Sequence, residues 1–283
     1  MSKKLNHFLE LNLGLLCVAT SGPLGRFVTM ESTLTTMWRS IFGLLGIIII
    51  AKVLRANLLI NWRKHGIILV GTSALMVGHW VTYFYSLDYS NVAVALTALY
   101  TFPAITAILD PLIKRRRIPL IDLGLAIITF AAIIYIAPPL GASQQLGLAI
   151  LLGLASALCF AIRNIWIATI SNSYPSITIM VYQLFFSTIL LLPLYFTGSS
   201  KTSASQWAAL VALGLITTAA GHTLFVRGIA RYQPTTASIF MCLTPIYGIF
   251  LAFFFLHEVP SYRVVVGGVI ILGVVVFKAV QAD

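Results

Sequence analysis

The chain alternates long apolar runs with short polar breaks, and nearly every run has the length of a membrane-crossing helix. A helix needs about 20 mainly apolar residues to cross the hydrocarbon core of a bilayer. Runs of that size lie near Leu9–Phe27, Leu34–Leu54, His65–Ser86, Val92–Ile113 and Leu120–Ala137. They continue near Leu146–Ile167, Ile177–Phe196, Trp207–Ala230, Thr235–Leu256 and Val264–Val280. Most connections are short, no soluble domain is left over, and no low-complexity segment intervenes. The pattern predicts an all-α integral membrane protein with ten transmembrane helices.

Two stretches of the chain match each other. Gly78-His79 leads through Tyr89 to Pro103, and Gly221-His222 leads through Tyr232 to Pro245. The offsets are 143 (222 − 79), 143 (232 − 89) and 142 (245 − 103). Cys17 and Cys159 carry the match to the start of each half, at 142 (159 − 17). An internal period of half the length reads as one unit used twice. The expected units are residues 1–141 and 142–283, with five helices in each.

Composition sharpens the class. Hydrophobic residues make up 59% of the chain and charged residues 9%, with a mean hydropathy of +0.98; a soluble domain carries about 25% charged residues. The formal net charge of +11 would point to nucleic acid in a soluble protein. Here the basic residues fall in short loops between apolar runs, where they act as topology signals. The expected partners are therefore a lipid bilayer and a small-molecule substrate, with no nucleic acid. Three scattered cysteines, Cys17, Cys159 and Cys242, form neither a disulfide framework nor a metal-ligand spacing. Lys3-Lys4, an apolar run and Ala19-Thr20-Ser21 resemble a signal peptide. Cleavage there would remove the first helix of the repeat, so the run is read as a retained span.

Orientation follows from Lys and Arg. With a cytoplasmic amino terminus, 14 of the 18 basic residues fall on the inner side, leaving Arg26, Arg39, Lys201 and Arg263 for the outer half. Both termini are then cytoplasmic, and the expected location is the plasma membrane, the inner membrane of a bacterium. Five spans per repeat turn the second copy upside down. The charges follow: Lys114-Arg115-Arg116-Arg117 has an almost uncharged counterpart near His257-Glu258, and the Asp88-Tyr89 break answers to one bearing Arg227 and Arg231. Inverted repeats are common in secondary transporters, with substrate sites near the midplane.

Several segments together resemble the EamA-type branch of the drug/metabolite transporter superfamily. They are Trp38-Arg39 in the second run, the segment from Tyr89 to Ala95, Pro103 in the fourth run, Tyr182-Gln183, Leu243-Thr244-Pro245, and Leu256-His257-Glu258 before the last run. The resemblance covers essentially the whole chain. It departs at the end of the fourth run, where the family's usual Glu gives way to the basic run around Arg115. The resemblance implies ten helices, cytoplasmic termini and movement of small organic solutes, often outward, with amino-acid exporters among the similar proteins.

The residues themselves suggest where such chemistry would lie. Arg39 sits within an apolar run, where a charge is expensive and usually functional. It could clamp a substrate carboxylate through two hydrogen bonds, or serve as a structural Arg paired with Glu31 or a backbone carbonyl. His79 and His222 occupy equivalent places, expected toward the outer and inner sides respectively. They suit proton coupling or gating, or plain hydrogen bonds between helices. Pro103 and Pro245 predict kinks that free the carbonyls of Leu99 and Met241 and could act as hinges, or simply pack. Trp38, Trp80, Tyr83, Tyr100, Asn164, Tyr182 and Gln183 are candidate cavity walls, and equally candidate packing or interface residues. Arg163 is a candidate inner gate. Asp110, four residues before Lys114, is set up for a local ion pair, with proton carriage as the sharper alternative.

Other chemistries are missing. There is no His-Glu-x-x-His helix, no Gly-x-x-x-x-Gly-Lys loop and no Cys cluster, and the seven acidic residues are dispersed. No cofactor, no metal and no enzymatic activity are expected. The sequence supports an alternating-access carrier that exports small amphipathic metabolites, amino acids first, through a cavity lined by the first, third, fourth, sixth, eighth and ninth runs. Exchange of phosphorylated metabolites or nucleotide sugars is the alternative within transport. An intramembrane enzyme acting on a lipid-linked substrate is the alternative outside it. No small-residue spacing assigns an oligomeric state.

Overall fold

The computed structural model describes residues 3–90, 92–136, 144–193, 202–232, 234–256 and 262–281, and among these every regular element is helical. The first half contains α1 (Lys3–Ala19), α2 (Ser21–Phe27), α3 (Ser32–Val53), α4 (Trp62–Asp88), α5 (Val92–Leu99), α6 (Phe102–Ile113) and α7 (Leu120–Ile136). The second contains α8 (Gln144–Ile170), α9 (Ser176–Leu191), α10 (Ala204–Ala212), a π-helical segment (Leu213–His222), α11 (Thr223–Arg231), α12 (Pro234–Met241), α13 (Leu243–Leu256) and α14 (Tyr262–Gln281). Among the described residues, five helical runs are long and apolar enough to cross a membrane: Asn6–Phe27, Ser32–Val53, Trp62–Asp88, Gln145–Ile170 and Ala204–Arg231. His257 and Glu258 lie outside the described residues, as does Asn91.

The outside of the bundle is apolar. Leu13, Leu45, Ile49, Ile67, Leu151, Phe250 and Val269 are all exposed, while Arg39, Arg163, Asn164, Gln183 and both His79 and His222 are buried. This reverses the soluble arrangement and suits a surface solvated by lipid. The helices cross between the halves. α4 packs on α8 and α9, α3 packs on α9 and on the π-helical segment, α1 packs on that segment and on α13, and α7 packs on α14.

Pro103 and Pro245 act differently from the expected kinks. A proline ring clashes with the carbonyl four residues back and supplies no N–H. The chain responds by stopping and restarting. α5 ends at Leu99 and α6 begins at Phe102, with Pro103 in its first turn; α12 ends at Met241 and α13 begins at Leu243, with Pro245 in its first turn. In the first turn the missing N–H leaves no hydrogen bond unmade. A third break, between α1 and α2, falls at Thr20, whose hydroxyl turns back to the Cys17 carbonyl at 2.7 Å and meets Thr217 Oγ1 at 2.6 Å.

The sequence pattern gave no warning of the π-helical turns in the run predicted near Trp207–Ala230. They span 10 residues from Leu213 to His222. Thr218 Oγ1 donates to the Leu213 carbonyl at 2.8 Å, five residues back. π-turns are frequent at functional sites, and this one carries two residues of the central cavity region, Thr218 and His222. It lies very close to α3. A Cβ added at Gly214 would come within 2.4 Å of Phe42 Cβ and 2.8 Å of the Gly43 nitrogen.

Gly214→Ala therefore forces α3 and the π-helical segment apart. The expected cost is about 1–3 kcal/mol, seen as a lower melting temperature of the purified protein in detergent. Gly124→Ala, where nothing lies within 4 Å of an added Cβ, should leave the melting temperature unchanged or slightly higher.

Candidate functional site

The buried polar side chains gather around a small chamber in the middle of the bundle. Its volume is about 30 Å³, and its lining includes Ser21, Arg39, His79, Trp80, Tyr83, Tyr100, Phe102, Phe160, His222 and Thr244. The helix breaks feed it directly. Ser21 opens α2 after Thr20, Tyr100 and Phe102 flank the α5–α6 break, and Thr244 follows the α12–α13 break.

Among the described residues, Arg39 is the one arginine or lysine that lines the chamber. It is 1% exposed. Nε donates to Thr218 Oγ1 at 2.7 Å, Nη1 donates to Ser21 Oγ at 3.1 Å, and Nη2 lies 3.5 Å from His222 Nε2. The guanidinium carbon sits 4.5 Å from the Trp80 ring centroid and 5.7 Å from that of Phe84. Every one of these partners is neutral or aromatic. Glu31, the carboxylate expected from the sequence as a pairing candidate, instead accepts from Thr33 at 2.8 Å and from the Tyr85 hydroxyl at 3.1 Å. Among the described residues no carboxylate forms an ion pair with Arg39. The chamber thus holds a positive charge that aromatic faces and neutral acceptors stabilise only in part. Around it, Trp80 Nε1, Tyr83 Oη and His222 Nδ1 are buried without a hydrogen-bond partner. Indole N–H is a donor only, and a phenol or imidazole N–H can donate as well. A free cation beside unused donors is a set of groups suited to an anion.

The two histidines share this chamber, although the sequence set them toward opposite sides. Each lies only about 6 Å past the middle of its helical run at about 1.5 Å per residue, so both stay near mid-length of their helices. Phe160 bridges them, with its ring centroid 4.4 Å from His79 and 6.3 Å from His222. Their bonding differs. His79 Nδ1 meets Ser156 Oγ at 2.8 Å, and Ser156 Oγ also reaches the His79 carbonyl at 2.8 Å. The residue 142 positions before Ser156 is Gly14. A Cβ there would lie 2.7 Å from Leu224 Cβ and 3.3 Å from the Gly221 carbonyl, so no side chain fits to hold His222. His79 is fastened, and His222, whose Nε2 faces Arg39, keeps an unpartnered Nδ1.

Arg163 forms a second buried centre. Nη2 donates to Gln183 Oε1 at 2.5 Å, and Nη1 donates to Asn164 Oδ1 at 3.0 Å. Its guanidinium lies 5.8 Å from the Phe160 ring, which stands between it and the chamber. Asn164 and Gln183, candidates for the cavity wall, are occupied in holding this cation.

The remaining candidates lie off the chamber. Trp38 points into a separate apolar cluster, stacked on Phe42 at 5.8 Å and edge-on to Trp207 at 4.9 Å. Tyr182 donates to the Leu58 carbonyl at 2.9 Å and packs edge-on to Trp62 at 5.0 Å, at one end of the bundle. Asp110 pairs with Lys114 at 2.7 Å, the local ion pair its spacing suggests. Pro103 and Pro245 are absent from the lining, which takes in their neighbours Phe102 and Thr244 instead. Sequence reasoning missed Ser21, Ser156, Phe160 and Thr218. Phe160 had a signal, since it follows Cys159, one of the repeat's markers; the small hydroxyl residues had none in an apolar run.

A helical bundle with an apolar exterior, broken helices and a buried polar chamber has the makeup of a multi-pass membrane protein. Comparison with known proteins agrees. The sequence model of the EamA-like transporter family matches residues 11–137 and again residues 147–278. YxxF, an uncharacterized transporter of Bacillus subtilis (strain 168), is 24% identical over 196 residues, which span 68% of this chain and 63% of that protein. A solved structure described only as a crystal structure of protein superposes with a TM-score of 0.81 at 16% identity, over 98% of this chain and 97% of its own. The chain belongs to the EamA-like transporter family.

If Ser156 fastens His79, then Ser156→Ala leaves the buried imidazole nitrogen and the His79 carbonyl without their partner. A loss of about 1–3 kcal/mol follows, measurable as a lower melting temperature. Ser187→Ala, whose hydroxyl makes a longer 3.4 Å contact with the Ser73 carbonyl, should cost less.

Proposed function

We propose that the protein is a carrier for small amphipathic carboxylates, amino acids first among them, and that it exports them by alternating access. The observation that carries this reading is the Arg39 guanidinium, buried in the chamber without a carboxylate among the described residues and flanked by the unused donors of Trp80, Tyr83 and His222. An arginine binds a carboxylate through paired, charge-assisted hydrogen bonds. A substrate carboxylate would supply the missing counter-charge, while Trp80, Tyr83, Tyr100 and Phe160 would face its apolar part.

The same reading takes the chain as ten transmembrane helices in two inverted five-helix repeats, residues 1–141 and 142–283. The helix pairings support it, because they survive exchange of the halves. α4 with α8 answers to the π-helical segment with α1, α3 with that segment answers to α9 with α4, and α6 with α7 answers to α13 with α14. The buried polar contacts repeat too. Arg39 with Ser21 and Gln183 with Arg163 occupy corresponding positions, at offsets of 144 (183 − 39) and 142 (163 − 21). Each half places one arginine at the contact of its first two spans, on opposite members of the pair. The chamber's volume of about 30 Å³ admits one or two waters, so a solute enters only if the halves rock apart around it. The breaks at Tyr100-Thr101 and Cys242 are where such motion would bend the chain. We place both termini in the cytoplasm and the protein in the plasma membrane, from the excess of basic residues on one side.

Arg163 gives the phosphorylated-solute reading its one favourable observation, a second buried cation. Arg163 does not line the chamber and is held by the two amides beside the Phe160 ring, so a single clamp fits the geometry better. An intramembrane enzyme fits worse still, since the residues that line the chamber include no acid and no thiol.

The test is counterflow into proteoliposomes across labelled amino acids, sugar phosphates and nucleobases, with and without a pH gradient. Saturable movement of one amino-acid class is expected, and Arg39→Ala should reduce it roughly ten- to hundred-fold, the scale of a lost charged hydrogen bond, while the protein still inserts and elutes as a single species. Undiminished transport by that variant would remove Arg39 from the site. Exchange of a phosphorylated solute alone would replace the substrate class.

A further inference from the structure

In this conformation the central chamber is too small for an organic solute, but a larger cleft lies along the same seam. It measures about 460 Å³ and is formed by Tyr174, Ser176 and Ile177 on one wall and Val226, Arg227 and Arg231 on the other. Solute sites are typically about 300–1,000 Å³. Tyr174 Oη bonds His65 Nδ1 at 2.8 Å and receives the Asn61 N–H at 3.1 Å, so the cleft opens at the end of the bundle that carries Arg55, Arg63 and Lys64.

The cleft and the chamber approach each other along one helical run, since Val226 lines the cleft and His222 lines the chamber. Val226 lies one helical turn beyond His222, on the same face. Between them Phe160 of α8 stacks on Phe225 of α11, with ring centroids 5.8 Å apart and planes 17° apart. Phe160 is a wall of the chamber, and Phe225 directly precedes Val226, a wall of the cleft.

The cleft's charge is unbalanced. Arg231 Nη1 lies 2.7 Å from Glu10 Oε2, and Arg227 Nη1 lies 3.6 Å from the same oxygen. One carboxylate of α1 thus serves two guanidiniums of α11, and the looser partner, Arg227, is the more exposed, at 39% against 31%. An incoming carboxylate finds a cation there that Glu10 satisfies incompletely.

We infer that this cleft is a second, outlying site for the transported solute, at which Arg227 receives its carboxylate in competition with Glu10 before the Phe160–Phe225 pair opens toward Arg39. The inference rests on the carboxylate-carrier reading above and adds the residues that set affinity on one face of the membrane. An anionic lipid headgroup offers the same chemistry, so the experiment separates the two sources.

The experiment measures KM at each face separately, in vesicles with the protein inserted in a known orientation, for the carboxylate solute that counterflow identifies. Arg227→Gln should raise KM about two- to five-fold, the scale of an exposed ion pair, on the face bearing the cleft, with KM at the other face unchanged. Glu10→Gln should lower KM on the cleft's face, and added salt should shrink both effects. These results are expected equally in vesicles of zwitterionic lipid alone and in vesicles containing anionic lipid. An Arg227→Gln effect confined to anionic vesicles would assign the cleft to a lipid headgroup and overturn the inference. So would equal shifts at both faces, or no shift where the wild type transports normally. Failure of the wild type to move any carboxylate would overturn the carrier reading itself, and this inference with it.

Discussion

A guanidinium buried in a lipid-facing bundle, with no carboxylate paired to it among the described residues, is the constraint on which the rest of this structure turns. Arg39 is held by Thr218 from the π-helical segment, Ser21 from the start of α2, His222, and the ring of Trp80 on α4. Those contacts come from three separate elements, so the position of one charge on α3 ties together the packing of all of them. Thr218 reaches Arg39 because α3 and the π-helical segment touch backbone to backbone at Gly43 and Gly214. Ser21 reaches it because α1 ends early at Thr20. Local irregularities that would weaken an ordinary helix are what bring neutral acceptors to the cation. They do not cancel it, and a buried charge met only by neutral groups leaves free energy for an anion to recover.

Function, on this reading, comes from the places where the two halves differ. Ser156 fastens His79, while its counterpart Gly14 leaves His222 loose beside Arg39. The two arginines sit on opposite members of the corresponding helix pairs, one facing the chamber and one enclosed by Asn164 and Gln183. A perfectly symmetric pair of halves would place two like charges at the centre. The departures from symmetry leave one cation exposed to the chamber and one shielded behind Phe160.

Much of this could be read in the sequence, and the residues show why the rest could not. The apolar runs located the helices because length and hydropathy are local properties. Arg39, Trp80, Tyr83 and the two histidines stood out because polar or aromatic groups in an apolar run are few. Pro103 and Pro245 marked the right positions but the wrong device, since a proline signals lost hydrogen bonding without saying whether the helix bends or restarts. Trp38 neighbours Arg39 in sequence, yet adjacent positions on a helix point about 100° apart, and it faces Trp207. Asn164 and Gln183 looked like free amides until Arg163 was seen to use them. The π-helical turns and the roles of Ser21, Ser156 and Thr218 depend on contacts between distant parts of the chain. Small hydroxyl residues give no advance sign of those contacts.

The most direct check of the central claim is ligand-induced thermal stabilisation of the purified protein, comparing each amino acid with the amine left when its carboxyl group is removed. If an uncompensated Arg39 defines the site, at least one amino acid raises the melting temperature in a saturable way and its decarboxylated amine does not. Equal stabilisation by the amine, or by the amine alone, would contradict the account, because the missing partner in the chamber would then not be an anion.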